Sequence, residues 1–143
     1  MKKKKLIAEL NSFELENDEW RELDDLVFEA CKIADPDIIR ALLGILERNP
    51  EHDGYGVFWS IVHGLEAVEG YEKILVESVL SKPHELSITM LNRMRNAAIE
   101  TIDGRPIQNI LEELAQNRSF TREIRQKAAD FIDYQRKKSK TNA

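Results

Sequence analysis

The sequence predicts an all-α fold, a short right-handed stack of helical hairpins built from about seven to eight helices. Three observations carry that prediction. Apolar residues recur at the three-and-four spacing of helical faces along most of the chain, and residues that start and stop helices punctuate it. Small and aliphatic residues also return at a fixed shift, as in Ala30, Gly64 and Ala98, which stand 34 positions apart. With only 4 prolines and 6 glycines among 143 residues, the helices can be long and the turns few. The length suits one domain spanning residues 1–143 with a core of its own.

After a run of lysines, Leu6, Ile7, Leu10 and Phe13 give a first short helix within residues 1–17 its apolar side. Asp18 is placed to cap a second helix, where Leu23, Leu26, Val27, Ala30 and Cys31 turn inward between Arg21 and Lys32. Trp20 reads as a cover over this first hairpin. Asp35 followed by Pro36 combines a capping side chain with a first-turn proline and opens a helix that runs to about Arg48. Asn49, Pro50, Asp53 and Gly54 then make the longest turn.

The central helix is predicted from Gly54 through Glu66, read as GYGVFWSIVHGLE, stopping at Gly70. Val57, Ile61, Gly64, Leu65 and Val68 share one face, which reads as core. Tyr55, Trp59, Val62, His63 and Glu66 share another, which asks for a partner; Phe58 and Phe131 are assigned to the core. Tyr71 to Ser81 forms the next helix, Pro83 breaks it, and Ser87 is placed to cap a run to Thr101. Asp103, Gly104 and Pro106 repeat the stop-and-start seen at Asp35. The last helices are predicted from Pro106 to Gln116 and from Thr121 to Lys138, with residues 139–143 as a disordered tail and no strand anywhere.

Laid over itself at the 34-residue shift, the chain fills consistent columns. Cys31, Leu65 and Ile99 align, then Ala34, Val68 and Ile102, then the acidic Asp35, Glu69 and Asp103. Leu42, Val76 and Ile110 follow, and Leu46, Leu80 and Leu114. Small residues let helices approach closely, acidic ones favour helix starts, and aliphatic ones stack into a continuous core. The segments Met94-Arg95-Asn96-Ala97-Ala98-Ile99 and Ile124-Arg125-Gln126-Lys127-Ala128-Ala129 resemble the second helix of HEAT-like repeats, over roughly the last two thirds of the chain. The region around Gly54 departs from that pattern by lacking the arginine.

Composition narrows the function. The 42% hydrophobic and 33% charged residues suit a folded chain rather than a disordered one. A single cysteine, Cys31, excludes an internal disulfide and a cysteine-rich zinc site, and it falls in a core column as a small hydrophobe. The lysines at the start precede an apolar run too short for a signal peptide, so a cytoplasmic protein without membrane contact is expected. The net charge of −5 is uneven: residues 9–37 are strongly acidic, whereas the last stretch is basic. His52, His63 and His84 stand far apart, and only His63 with Glu66 has a helical spacing that would bring two ligands to one metal; no metal and no cofactor are expected. Asp24 and Asp25 point to different sides of a helix and make no acid–base pair. No glycine-rich phosphate loop follows a strand. The expectation is a protein that is not an enzyme.

The repeat register identifies the neighbours of Trp59. It aligns with Asp25, Arg93 and Lys127; His63 aligns with Glu29, Ala97 and Phe131, and Glu66 with Lys32, Glu100 and Tyr134. These columns are mostly polar, so Tyr55 and Trp59 are predicted to project onto a face that otherwise meets water. The expected partner-binding set is Tyr55, Trp59, His63 and Glu66, flanked by Asp25, Glu29, Arg93, Asn96 and Glu100. Tryptophan, tyrosine and arginine are the types that anchor interfaces. The plainer alternative has Trp59 filling a small core or covering the turn near Pro50. A face presenting Asp25, Glu29, Glu66 and Glu100 repels phosphates, so no nucleic-acid ligand is expected.

Trp59-Ser60-Ile61-Val62-His63 with Glu66 close behind, the acidic N-terminal third and the length resemble the all-helical immunity proteins of bacterial polymorphic-toxin and contact-dependent growth inhibition systems. That resemblance implies a protein that binds and neutralises the toxic C-terminal domain of a secreted bacterial toxin, many of them basic nucleases. A HEAT-like protein–protein interaction scaffold without a toxin partner is the alternative.

Overall fold

Capping side chains set where three of the helices begin. The computed structural model describes residues 2–14, 20–52, 54–56 and 58–141, without the side chains of Trp20 and Tyr55. Among these residues there are eight α-helices: α1 (Lys3–Ser12), α2 (Trp20–Ile33), α3 (Pro36–Arg48), α4 (Phe58–Glu66), α5 (Tyr71–Ser81), α6 (Glu85–Asn96), α7 (Ile107–Gln116) and α8 (Arg122–Thr141). The predicted cap at Asp18, the cover at Trp20 and the core position Val57 lie outside what is described. Asp35 accepts a hydrogen bond from the Ile38 amide at 3.0 Å with Pro36 in the first turn, as the Asp-Pro pair predicts. Thr121 Oγ1 accepts from the Ile124 amide at 3.3 Å and starts α8 in the expected place. That helix continues through 139–141.

The start of α6 differs from expectation. His84, not Ser87, is the capping residue: its Nδ1 accepts from the Leu86 amide at 3.0 Å, while Ser87 Oγ accepts from the His84 amide at 3.0 Å. The pair satisfies two otherwise unpaired amides reciprocally, so an imidazole nitrogen does what a hydroxyl or carboxylate oxygen usually does.

The central stretch is also broken differently. Gly54 and Gly56 take φ of +67° and +81°, left-handed values that no α-helix contains, and residues Gly54–Gly56 form a single 3-10 turn ahead of α4. The helix ends at Glu66 rather than Gly70, because the Ala67 and Val68 amides donate to the Gly64 and Leu65 carbonyls in a tightening turn. Val62, expected on the outward face, is fully buried with Phe58, Ile61 and Leu65.

The strandless expectation is corrected after α6, which stops at Asn96 instead of Thr101. Ala98 follows with φ of +65°, and β1 (Thr101–Ile102) pairs antiparallel with β2 (Arg105–Pro106). Asp103 and Gly104 between them both have positive φ, +50° and +80°, the backbone of the tight hairpin turn that Asp-Gly favours. The same two residues read as a helix boundary only because the flanking strands are too short to show alternation.

Helix α1 packs on α2 and α3, α3 on α5, α2 on α4, α4 on α6, and α6 on α8. One row of helices therefore backs another, with the core between them. Gly64 sits where α2 and α4 come closest: a Cβ there would lie 2.8 Å from Cys31 Sγ and 2.9 Å from Val27 Cγ1. Only a residue without a side chain fits. The repeat register holds for Leu42, Val76 and Ile110, all buried, and for Leu46 and Leu114, whereas Leu80 is partly buried. It fails at Ala98 and Ile99, which are exposed on the turn beyond α6. There the ribbon interrupts the alternation, with α5 against β1 and α7 against β2 and, most extensively, α8. A regular array of tandem hairpins is thus not clearly displayed. The chain is an all-α protein, and none of its described helices is long and apolar enough to cross a membrane.

Candidate functional site on the outer faces of α4 and α6

Helix α4 turns Phe58, Ile61, Val62 and Leu65 into the core, and the three-and-four spacing then leaves Trp59, His63 and Glu66 on its other side. The adjacent α6 supplies Arg93. Its Nε and Nη2 donate to Glu66 Oε2 and Oε1 at 2.7 and 2.9 Å, a bidentate pair linking the two helices. The hydrogen bonds that Arg93 donates to the Glu66 carboxylate raise its pKa above its ordinary value.

Trp59 completes the cluster. It is partly buried against the core, with the Arg93 guanidinium carbon 5.7 Å from its ring centroid. The His63 ring lies 5.7 Å from it at a tilt of 32°, and His63 Nδ1 is 4.0 Å from Glu66 Oε1. The bidentate clamp holds the guanidinium in one orientation, so little further ordering is needed when a partner covers it. The arrangement presents an indole surface, an exposed imidazole and a fixed cation within one patch.

The other predicted members are distributed around this patch. Asn96 Oδ1 accepts from Gln135 Nε2 at 3.0 Å and Lys138 Nζ at 2.9 Å, so it fastens α6 to α8. Glu100 pairs with Arg95 at 3.3 Å, and Arg95 also donates to Gln108, which puts Glu100 at the junction with α7 rather than beside Trp59. Asp25 is exposed on α2, and Glu29 pairs with Lys32 at 3.3 Å on the same helix. Its neighbour Asp24 faces α4 and accepts from Ser60 Oγ at 2.5 Å. The Tyr55 side chain lies outside what is described.

Three further aromatic residues extend the same row of helices, of which Phe28 was not singled out from the sequence and Phe131, assigned there to the core, is only partly buried. Phe28 on α2 is 65% exposed with Lys32 Nζ 4.4 Å from its ring, and Tyr134 on α8 is 47% exposed. Lys127 Nζ lies 5.3 Å from the Phe131 ring on α8. The signal for Phe28 was present: Arg21, Asp25, Phe28 and Lys32 form the outward stripe of α2, and a phenyl ring interrupts an otherwise charged face.

Tyr71, the first residue of α5, is buried near this cluster, and its phenol is pushed up to about 12 by burial first, then by the Glu72 and Glu66 charges, with Arg93 partly opposing. Its ionisation is delayed in the folded state, so stability is intact below pH ~10 and declines as pH rises from ~10 to ~12. The loss expected is up to about 2 to 3 kcal/mol. Denaturation midpoints measured across that range should fall, and Tyr71→Phe should flatten the fall; equal slopes in the two proteins would assign it to other groups.

Histidines far apart in the sequence meet at another edge: His84 Nε2 donates to the His52 carbonyl oxygen at 2.8 Å, and His52 Nδ1 accepts from the Gly54 amide at 2.8 Å. Among the described residues no group of three or more His, Cys, Asp or Glu side chains is arranged to hold a metal ion. Compared with protein-family models, curated proteins and solved structures, the chain matches none of them.

Proposed function

We propose that this chain is an interaction protein whose partner docks on the outer faces of α2, α4 and α6, and that the partner is the toxic domain of a secreted bacterial toxin, which it neutralises as an immunity protein. The observation that carries the docking reading is the Trp59 patch: an aromatic ring between an exposed imidazole and a guanidinium already fixed by Glu66. Phe28 and Asp25 on α2 extend it with a second ring and a carboxylate. The toxin part of the reading rests on the sequence resemblance around Trp59 to His63, and the acidic N-terminal third suits a basic partner approached quickly by charge. In this reading the two rows of helices are a short HEAT-like stack, cytoplasmic, with the second row as its binding side.

Co-expression with a candidate toxic domain, sought first among the genes beside the one for this chain, tests the proposal. Growth should be restored in its presence and the two proteins should co-purify. Continued arrest with both proteins soluble would reject neutralisation and favour an interaction scaffold with another partner.

A further inference from the structure

Three turns converge on one edge of the molecule, and between them lies a groove that the Trp59 patch does not use. The turn after α3 brings Pro50 and Glu51, the turn before α6 brings Lys82 and Pro83, and the turn before α8 brings Phe120 and Thr121. Two adjoining cavities of ≈ 340 and ≈ 320 Å³ share Pro50, Glu51, Thr121 and Ile124 and so form one continuous groove. Pro50, Pro83, Phe120 and Ile124 supply an apolar floor. Pro83 and Ile124 are buried, and the His84 to His52 hydrogen bond behind them ties two of the turns together.

The rim is mainly acidic. Among the described residues, Glu47, Glu51, Glu85 and Glu123 line the groove against one cation, Lys82, so this lining carries four negative charges and one positive, net −3. Glu47 accepts from Ser78 Oγ at 2.6 Å, and Glu85 and Glu123 stand in the first turns of α6 and α8, where a negative charge also suits the helix start. Glu51 has no such helix to serve; it is exposed on a turn at the mouth of the groove. An apolar floor under a carboxylate rim matches the amphipathic form of a lysine or arginine, whose methylene stem packs on apolar surface while its charge meets an acid.

We propose that this groove docks an extended protein segment in which a lysine or arginine neighbours an aliphatic residue, the aliphatic side chain against Phe120 and Ile124 and the cation at Glu51 and Glu85. The proposal does not depend on the toxin reading, since the surface is separate from the Trp59 patch. The probe is a short fluorescein-labelled peptide of alternating lysine and leucine, with an alternating glutamate and leucine peptide as its counterpart, titrated into the full chain labelled with nitrogen-15. Saturable shifts should concentrate on the amides of Glu51, Glu85, Phe120 and Thr121, and the glutamate peptide should give none. The triple variant Glu51→Gln, Glu85→Gln, Glu123→Gln should weaken binding about tenfold or more while the protein stays folded, with only a small drop in melting temperature from the two helix-start charges. Lys82→Glu should tighten it by about threefold. Removing the same charge elsewhere, with Glu14→Gln, Glu22→Gln and Glu69→Gln, should leave affinity unchanged. Shifts spread over other acidic surfaces, no binding at millimolar peptide, or equal weakening by the two triple variants would each overturn the groove as a docking site.

Discussion

Phe58→Ala is expected to remove about 3 to 5 kcal/mol of folding stability, the upper range for truncating a buried ring. Among the described residues Phe58 is the largest of the fully buried side chains, and it opens α4 directly behind the glycine turn. Its ring meets His84 edge to face, with centroids 5.9 Å apart and planes at 69°. On the other side the backbone of Gly54 closes over it: a Cβ at Gly54 would stand 2.4 Å from Phe58 Cγ, and the φ of +67° disfavours any side chain there. The surroundings are held by the His84 to His52 hydrogen bond and the Gly54 amide to His52 Nδ1, so they have little freedom to collapse into the space left. Urea unfolding should show the loss as a lower midpoint at constant slope. Gly54→Ala should also destabilise, through the same contact approached from the backbone. A loss below about 1 kcal/mol in Phe58→Ala would mean that the turn relaxes around the cavity and that the ring is not what anchors it.

How much of this was legible in the sequence depends on whether the signal was periodic or local. The helical faces of α2, α3, α7 and α8 follow from three-and-four spacing, and the starts of α3 and α8 follow from Asp35-Pro36 and Thr121, because a capping oxygen before an apolar run has one common use. The cap at His84 was not legible, since histidine is rare in that role and Ser87 nearby is a better statistical candidate. The repeat register placed Arg93 beside Trp59 correctly, and it failed at Ala98, where left-handed backbone and an Asp-Gly hairpin take the place of continued helix. Within the candidate site, alignment could bring Trp59, Arg93, Asp25 and Glu100 into related columns but could not say which side chains would pair. Glu66 takes the Nε and Nη2 of Arg93, while Glu100 goes to Arg95, because pairing depends on helix ends and local reach rather than on register. Phe28 was missed for a different reason: an aromatic residue in a helix is ordinarily assigned inward.

Trp59→Ala is expected to weaken partner binding by about 2 kcal/mol or more, roughly 30-fold, mainly through faster dissociation. The ring is only partly buried, so its core contribution is smaller than that of Phe58, and helical content should be retained. Its outer surface borders Arg93 and His63, where a partner would exclude water from an indole, an imidazole and a guanidinium together. Glu66 has a structural duty in the same patch, so Glu66→Gln is expected to act partly by releasing Arg93 from its bidentate hold rather than by changing charge alone. Phe28→Ser separates docking from folding, because a 65% exposed ring has little packing to lose. The measurement is dissociation of the proposed partner domain from immobilised wild-type, Trp59→Ala and Phe28→Ser proteins, alongside their thermal unfolding. Faster release in both variants with unfolding temperature kept in Phe28→Ser supports docking across α2, α4 and α6. If Trp59→Ala unfolds the chain with the cost of a core cavity, the ring serves packing, and if release is unchanged in both variants the partner sits elsewhere, with the acidic residues 9–37 the next surface to vary.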